Sequence, residues 1–241
     1  MQSHLEPTAN EGVGDPGSVL KATGIQKAYR TAGGSVEVLR GVDLAVDRGT
    51  VLAILGVSGV GKSTLLNILG TLDRPDGGTL EIHGRRVSDW SEEDLAGFRA
   101  RHLGFVFQFH HLLPEFSAEE NVMMPLLIGG QSGSSARARA REALVGVGLE
   151  DRWTHLPAQL SGGEAQRVAV ARALVGNPEL VLADEPSGNL DRAAADALHE
   201  LMSSLARERA QTFVIVTHND TLAAMANRVM RLEAGRLVQV R

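Results

Sequence analysis

An α/β fold with a mainly parallel sheet, an antiparallel β-subdomain and an inserted helical subdomain is what this 241-residue sequence predicts. Three observations carry the prediction. Val51-Leu52-Ala53-Ile54-Leu55 is a continuous apolar run suited to a buried parallel strand, and it leads through a glycine-rich stretch into Leu65-Leu66-Asn67-Ile68-Leu69, which reads as helix. Leu180-Val181-Leu182-Ala183 and Phe213-Val214-Ile215-Val216-Thr217 are further core-strand runs, each followed at once by ionisable residues. Residues 109–159 look mainly helical, interrupted by Pro114, Pro125 and the loop Gly129-Gly130-Gln131-Ser132-Gly133-Ser134.

The chain is long enough for one large domain or a domain with an inserted lobe, and too short for a tandem of such domains. A net charge of −5 gives no support to nonspecific nucleic-acid binding, so no nucleic-acid partner is expected. Zero cysteines exclude disulfides, iron–sulfur clusters and zinc–thiolate sites. The apolar run 122–130 contains Pro125 and falls far short of the ~20 residues of a membrane span. No basic patch precedes an apolar core near the N-terminus, so the chain is expected to stay in the cytoplasm. Anchoring at a membrane would have to come from a partner.

Taken in order, residues 1–18 read as a disordered tail and 19–241 as one domain, with its helical subdomain at about 109–159. Val42-Asp43-Leu44-Ala45-Val46, and Thr79-Leu80-Glu81-Ile82 after the Pro75-Asp76-Gly77-Gly78 turn, predict antiparallel strands. Tyr29, the single tyrosine, falls in this layer, where half-buried packing is the ordinary role. Ser91-Glu92-Glu93-Asp94 has the S-x-x-D spacing of a helix start, with the helix ending near Gly104. Phe105-Val106-Phe107 then reads as a brief strand closed by Gln108. Arg137, Arg139 and Arg141 are read as a solvated helix surface, and neighbouring His110 and His111 do not converge as metal ligands. Val229 to Leu232 and Arg236 to Val240 form a hairpin around Glu-Ala-Gly.

The chemistry centres on Gly56-Val57-Ser58-Gly59-Val60-Gly61-Lys62-Ser63-Thr64. Its glycines let successive N–H groups turn toward phosphate oxygens at a helix N-terminus, with Lys62 reaching the β- and γ-phosphates and the Ser63 hydroxyl on Mg²⁺. Asp184 and Glu185 are adjacent carboxylates at a strand end, pointing apart, so that one can hold a metal while the other faces an attacking water. Ser161-Gly162-Gly163-Glu164 spells a capping box before a long amphipathic run. A cap does not need paired glycines, whereas close backbone approach to a ligand does, making this a second candidate phosphate site.

The ordered set of Gly56 to Thr64, Gln108, Leu160-Ser161-Gly162-Gly163-Glu164, Leu182-Ala183-Asp184-Glu185-Pro186, Asn189-Leu190-Asp191 and His218 resembles the ATPase subunits of ABC transporters over nearly the whole chain. The resemblance implies a P-loop NTPase core of the ABC ATPase type, with ATP and Mg²⁺ as ligands. It implies that Tyr29 stacks on adenine, and that Ser63, Asp184 and Gln108 organise the ion. Glu185 would deprotonate the hydrolytic water and His218 would contact the γ-phosphate. Ser161 and Gly163 would bind a nucleotide held mainly by a second copy, in a head-to-tail dimer with Asn189, Leu190 and Asp191 at the interface. Val57, Val60, Ala165 and Ser187 depart from common family choices without removing a catalytic group.

Within the family, Gln108-Phe109-His110-His111-Leu112-Leu113-Pro114-Glu115-Phe116, followed by Glu120-Asn121-Val122 and Met124-Pro125-Leu126-Leu127-Ile128-Gly129, is similar to the lipoprotein-releasing branch. That implies a peripheral subunit at the cytoplasmic face of the inner membrane, held there by a permease that releases lipoproteins toward the outer membrane. Phe109, His110, His111, Leu112, Leu113, Pro114, Glu115 and Phe116 are the expected permease-facing residues, with Leu112 and Leu113 equally suited to the interior of the lobe. The competing expectations are a macrolide- or peptide-export ATPase and a soluble ATP-driven clamp. The clamp needs long coiled-coil insertions or a second cassette, neither of which 241 residues contain.

Overall fold

The parallel strands stack side by side because their side chains are apolar on both faces, which only a sheet covered by other layers can bury. The computed structural model describes residues 18–31 and 34–241. The tail expected over residues 1–18 lies outside these, apart from Ser18, which already belongs to a strand.

The first layer is antiparallel. β1 (Ser18–Thr31) pairs with β2 (Gly34–Asp47), and after β3 (Val51–Leu55) and α1 (Lys62–Leu69) the chain returns as β4 (Gly77–Ile82) and the short β5 (Arg85–Arg86). The resulting sheet runs β2-β1-β4-β5. α2 (Glu92–His102) opens with the expected capping box at Ser91 and Asp94 and leads into β6 (Leu103–Val106). That strand begins two residues before the expected Phe105 and leaves Phe107 outside, so Gln108 follows it in a loop.

α3 (Ala118–Ile128), α4 (Gly133–Val145) and α5 (Gly162–Leu174) form the helical part. β7 (Leu180–Asp184), α6 (Arg192–Arg209), β8 (Thr212–Thr217), α7 (Asp220–Ala224), β9 (Arg228–Glu233) and β10 (Arg236–Gln239) complete the chain. The second sheet runs β10-β9-β3-β8-β7-β6, parallel except for the β9–β10 hairpin. Close packing beneath it is decided at Gly70, where a Cβ would lie 2.6 Å from the Phe105 ring and 2.9 Å from Leu182. Only glycine lets α1 end against β6 and β7.

Two sequence expectations change in the helical part. Pro125 does not interrupt α3 but sits within it, in a helix whose start is fixed by a capping box between Ser117 and Glu120. Arg137 and Arg141 are not merely solvated: their Nε atoms donate to the two oxygens of buried Glu119, at 2.6 and 2.5 Å. Spaced four apart, they share one face of α4, and Arg141 also stacks over Trp153 at 4.5 Å. Arg139 points elsewhere, to the Val175 carbonyl.

Candidate nucleotide-binding site

Strand register brings the functional loops together. Leu55 at the end of β3 is paired with Thr217 at the end of β8, and Val216 with Asp184 at the end of β7. The loop after β3, the carboxylates after β7 and His218 after β8 therefore emerge side by side at the C-terminal edge of the parallel sheet, where open α/β sheets place ligands.

The loop 56–61 turns into α1 at Gly61, whose φ of 108 is in the left-handed region and whose added Cβ would meet Val38 Cγ1 at 2.5 Å. A side chain here is opposed by both backbone strain and packing. Gly61 supplies no side-chain cap, so the first N–H groups of α1 are left for a ligand. Val57, Ser58 and Gly59 are exposed and Val60 packs partly against the core. Lys62 is nearly buried and its Nζ donates to the carbonyls of Gly56 at 2.7 Å and Val57 at 3.2 Å. The same ammonium stands 3.4 Å from Glu185 Oε1.

Glu185 is held from several sides. Its φ of 45 is left-handed, a conformation costing about 1 kcal/mol or more for a residue with a Cβ. Its N–H donates to Val216 O at 2.9 Å. Thr217 Oγ1 donates to Oε2 at 2.9 Å, the His218 N–H to the same oxygen at 3.2 Å, and His218 Nδ1 pairs with Oε1 at 2.9 Å. Burial alone would raise the pKa of Glu185, but the bonds from His218 and Thr217 outweigh it and leave the carboxyl below its ordinary range, hence ionised. Thr217, fully buried beside His218, is a functional residue that sequence reasoning passed over; its position immediately before the histidine was the available signal.

Asp184 is pushed the other way, by burial first and then by the negative charge of Glu185, while a hydrogen bond with Ser63 opposes the rise. A half-buried carboxylate whose ionised form is disfavoured, beside a hydroxyl at a phosphate-binding N-terminus, is a hard-oxygen donor pair that fits Mg²⁺. Among the described residues no cluster of three or more His, Cys, Asp or Glu side chains could hold a metal by itself. Mg²⁺ suits such a site because it takes one or two protein oxygens and completes its shell with phosphates and water. Gln108 is not joined to this pair: its Nε2 donates to Asn189 Oδ1 at 2.9 Å, and Asn189 Nδ2 returns a bond to Gln108 O at 3.2 Å.

Tyr29 donates to Asp73 Oδ2 at 2.9 Å. The residue is 40% exposed, with the Lys27 ammonium 5.4 Å from the ring centroid. A partly exposed aromatic can stack on a base.

The second helix N-terminus lies elsewhere. Ser161 Oγ accepts from the Glu164 N–H at 3.2 Å, Glu164 Oε2 accepts from the Ser161 N–H at 2.8 Å, and Arg152 Nε donates to Glu164 Oε1 at 2.8 Å. Gly162 faces Leu190, and Gly163 faces Ala194, where a Cβ would come within 3.0 Å. Leu160 packs partly on the core, and Asp191 caps α6 through the Ala194 N–H. Among the described residues no hydrogen bond or salt bridge joins residues 160–164 to residues 56–64 of the same chain.

The bonds to Ser161 and Arg152 hold Glu164 well down, at about 2 against an ordinary 4.5. A carboxyl depressed on folding adds stability that is fully present above 4.5 and disappears as pH falls toward about 2. Glu164→Gln is accordingly expected to be less stable than the parent at neutral pH, with the gap closing as the solution is acidified. Urea unfolding at pH 7, 4 and 3 reads it directly. A gap of constant size down to pH 3 would show that the carboxylate's charge is not what these bonds stabilise.

The expected partner-facing residues divide. Phe109, Leu113 and Phe116 are 67%, 41% and 38% exposed, and His111, Pro114 and Glu115 are also at the surface. Leu112, at 7%, is core of the helical part and leaves the candidate surface; His110 is half-buried and, with burial foremost, its pKa is lowered. The side chain of Leu112 is turned inward because Leu112 N is tied to His110 Nδ1 and Leu113 N to Asn121 Oδ1.

Comparison with known proteins agrees with this geometry. The sequence profile of the ABC transporter family matches residues 39–188. The lipoprotein-releasing system ATP-binding protein LolD of Geobacter metallireducens is 53% identical over 221 residues, which is 92% of this chain and 98% of that protein. Its counterpart in Chromohalobacter salexigens is 54% identical over 219 residues, covering 91% of this chain and 92% of its own. Among solved structures, the dimeric ATP-binding cassette MJ0796, bound to ADP and phosphate in a post-hydrolysis state, superposes with a TM-score of 0.84 at 38% identity, covering 92% of this chain and 99% of that one.

Proposed function

Because this chain belongs to the ABC transporter family as one of its ATP-hydrolysing subunits, we propose that it works as a head-to-tail dimer and drives a lipoprotein-releasing permease of the LolC/LolE type. The observation that carries the cargo is identity above 50% to two LolD proteins across more than nine-tenths of this chain. No helix among the described residues is long and apolar enough to cross a membrane. Residence at the cytoplasmic face of the inner membrane therefore depends on the permease.

The chemistry follows from the site. The loop N–H groups and Lys62 bind the phosphates, and Tyr29 stacks on the base. Ser63 and Asp184 would hold Mg²⁺, which when bound would supply neutralisation of phosphate charge. Gln108 would join them through its amide oxygen, while its Nε2 donates to Asn189. Glu185, locked by Thr217 and His218, takes a proton from the attacking water, while His218 reaches the γ-phosphate. Binding energy from the phosphates draws Lys62 off the loop carbonyls and away from Glu185, freeing that carboxylate for the water. Ser161 and Gly163 supply the second phosphate-binding N-terminus to the nucleotide of the other copy, and Asn189, Leu190 and Asp191 lie beside that junction.

The test is an affinity pull-down of tagged Glu185→Gln protein from detergent-solubilised membranes with Mg²⁺–ATP. A permease with few spans and a large extracytoplasmic domain, together with acylated lipoproteins, is the expected catch. A permease carrying macrolides or peptides would replace the cargo assignment, and recovery of soluble factors or nucleic acid alone would remove the transport reading.

A further inference from the structure

Away from the phosphates, one half-buried charge has no ionic partner among the described residues. Arg172, in the last turn of α5, makes no salt bridge among the described residues, and burial lowers its pKa. Its guanidinium donates instead to two successive backbone carbonyls, Nη2 to His110 O and Nη1 to His111 O, both at 2.7 Å. Withdrawing a cation from water without a carboxylate is costly, and here only two charge-assisted bonds and the negative end of the α5 dipole offset it.

One of the acceptor residues is strained. His111 has a left-handed φ of 46, directing its carbonyl and that of His110 at the same planar fork. Other side chains fasten the same stretch. Gln166 Nε2, also on α5, donates to Phe107 O at 2.8 Å. From α3, buried Asn121 accepts from Leu113 N–H at 2.8 Å and donates to the carbonyls of Leu113, Phe116 and Ser117 at 3.1, 2.8 and 3.0 Å. A loop that exposes Phe109 and Phe116 is thus gripped from beneath by α5 and α3. The other end of that helix is Ser161, 11 residues or roughly 16 Å away along one rigid element.

We propose that Arg172 is a positioning residue that locks the loop 107–116 to α5, so that a shift of the Ser161 end on engaging the partner copy's nucleotide is delivered to the docking surface as a rigid displacement. The proposal rests on the reading of Phe109 and Phe116 as permease-facing. Arg172 touches no nucleotide in this scheme. It decides whether hydrolysis is coupled.

The experiment compares full-length parent, Arg172→Met and Arg172→Lys, alone and with the permease. Met keeps the apolar stem without the fork, and Lys keeps the charge but lacks the rigid planar fork that presents one N–H to each carbonyl. Amide exchange at Leu112 and Leu113, both hydrogen-bonded in this loop, is expected to rise about tenfold or more in Arg172→Met while helices and strands elsewhere keep their protection. Permease-stimulated hydrolysis should fall about tenfold with little change in KM for ATP, and Arg172→Lys should lie between. Unchanged exchange at Leu112 and Leu113, or an equal rise throughout the chain, would overturn the positioning role, the second by making Arg172 a general support. Phe109→Ser, assayed for permease co-purification, separates the premise: full retention there would remove the docking surface even if the loop had loosened in Arg172→Met.

Discussion

Glu185→Gln is expected to bind Mg²⁺–ATP, accumulate as an ATP-closed dimer and hydrolyse its nucleotide at least about 100-fold more slowly than the parent. The substitution is nearly isosteric. The amide carbonyl can still accept from Thr217 Oγ1 and the His218 N–H, which are 2.9 and 3.2 Å from Oε2, so the left-handed turn at this residue keeps its supports. What disappears is the charge that can take a proton from water. Removing the charge also frees the Lys62 ammonium, 3.4 Å away, from its anionic competitor, which favours phosphate binding. Single-turnover hydrolysis and size exclusion with and without ATP measure the two halves. Hydrolysis close to the parent rate would move the general base elsewhere, and a variant that stays monomeric in ATP would remove the dimer from the mechanism.

Lys62→Ala should act at binding instead, weakening nucleotide affinity by about 30-fold or more, the ~2 kcal/mol or more expected when a charge-assisted contact to phosphate is lost. The side chain is 8% exposed and already bonded to Gly56 O and Val57 O, so its loss also takes a donor from the loop carbonyls and loosens their turn. Arginine would not restore binding, because a rigid fork is a poor substitute for a point charge in a slot cut for an ammonium. A fluorescent-nucleotide titration gives the affinity, and the ATP-induced rise in Tm gives an independent reading, expected to shrink in step. An unchanged Kd would mean that the loop N–H groups alone carry phosphate recognition.

How far the site could be read in advance depended on how far apart its parts lie along the chain. The capping boxes at Ser91 and Asp94, and at Ser161 and Glu164, are exchanges across three residues, and both form as their spacing predicts. Leu112 and Leu113 were indistinguishable by composition, and the Asn121 side chain, eight residues on, separates them by fixing the backbone of Leu113. Arg137 and Arg141 looked like solvated charge until α3 placed Glu119 against their shared face. The resemblance implies Gln108 at the ion, and the bond from its Nε2 to Asn189, 81 residues on, is one that only the packed fold reveals.

The amino-acid sequence by itself determined the strand–loop–helix around Lys62, the antiparallel layer, the helix starts and the order of motifs that places the chain in its family, because propensity, capping and apolar period act over a few residues. Tertiary structure alone decided that β3, β8 and β7 end in register, that Thr217 and His218 close on Glu185, and that Arg172 is bonded to two carbonyls some sixty residues away. Those contacts join segments distant in the chain, and no local preference encodes them: they exist only once sheet register and helix packing bring the partners within hydrogen-bond reach.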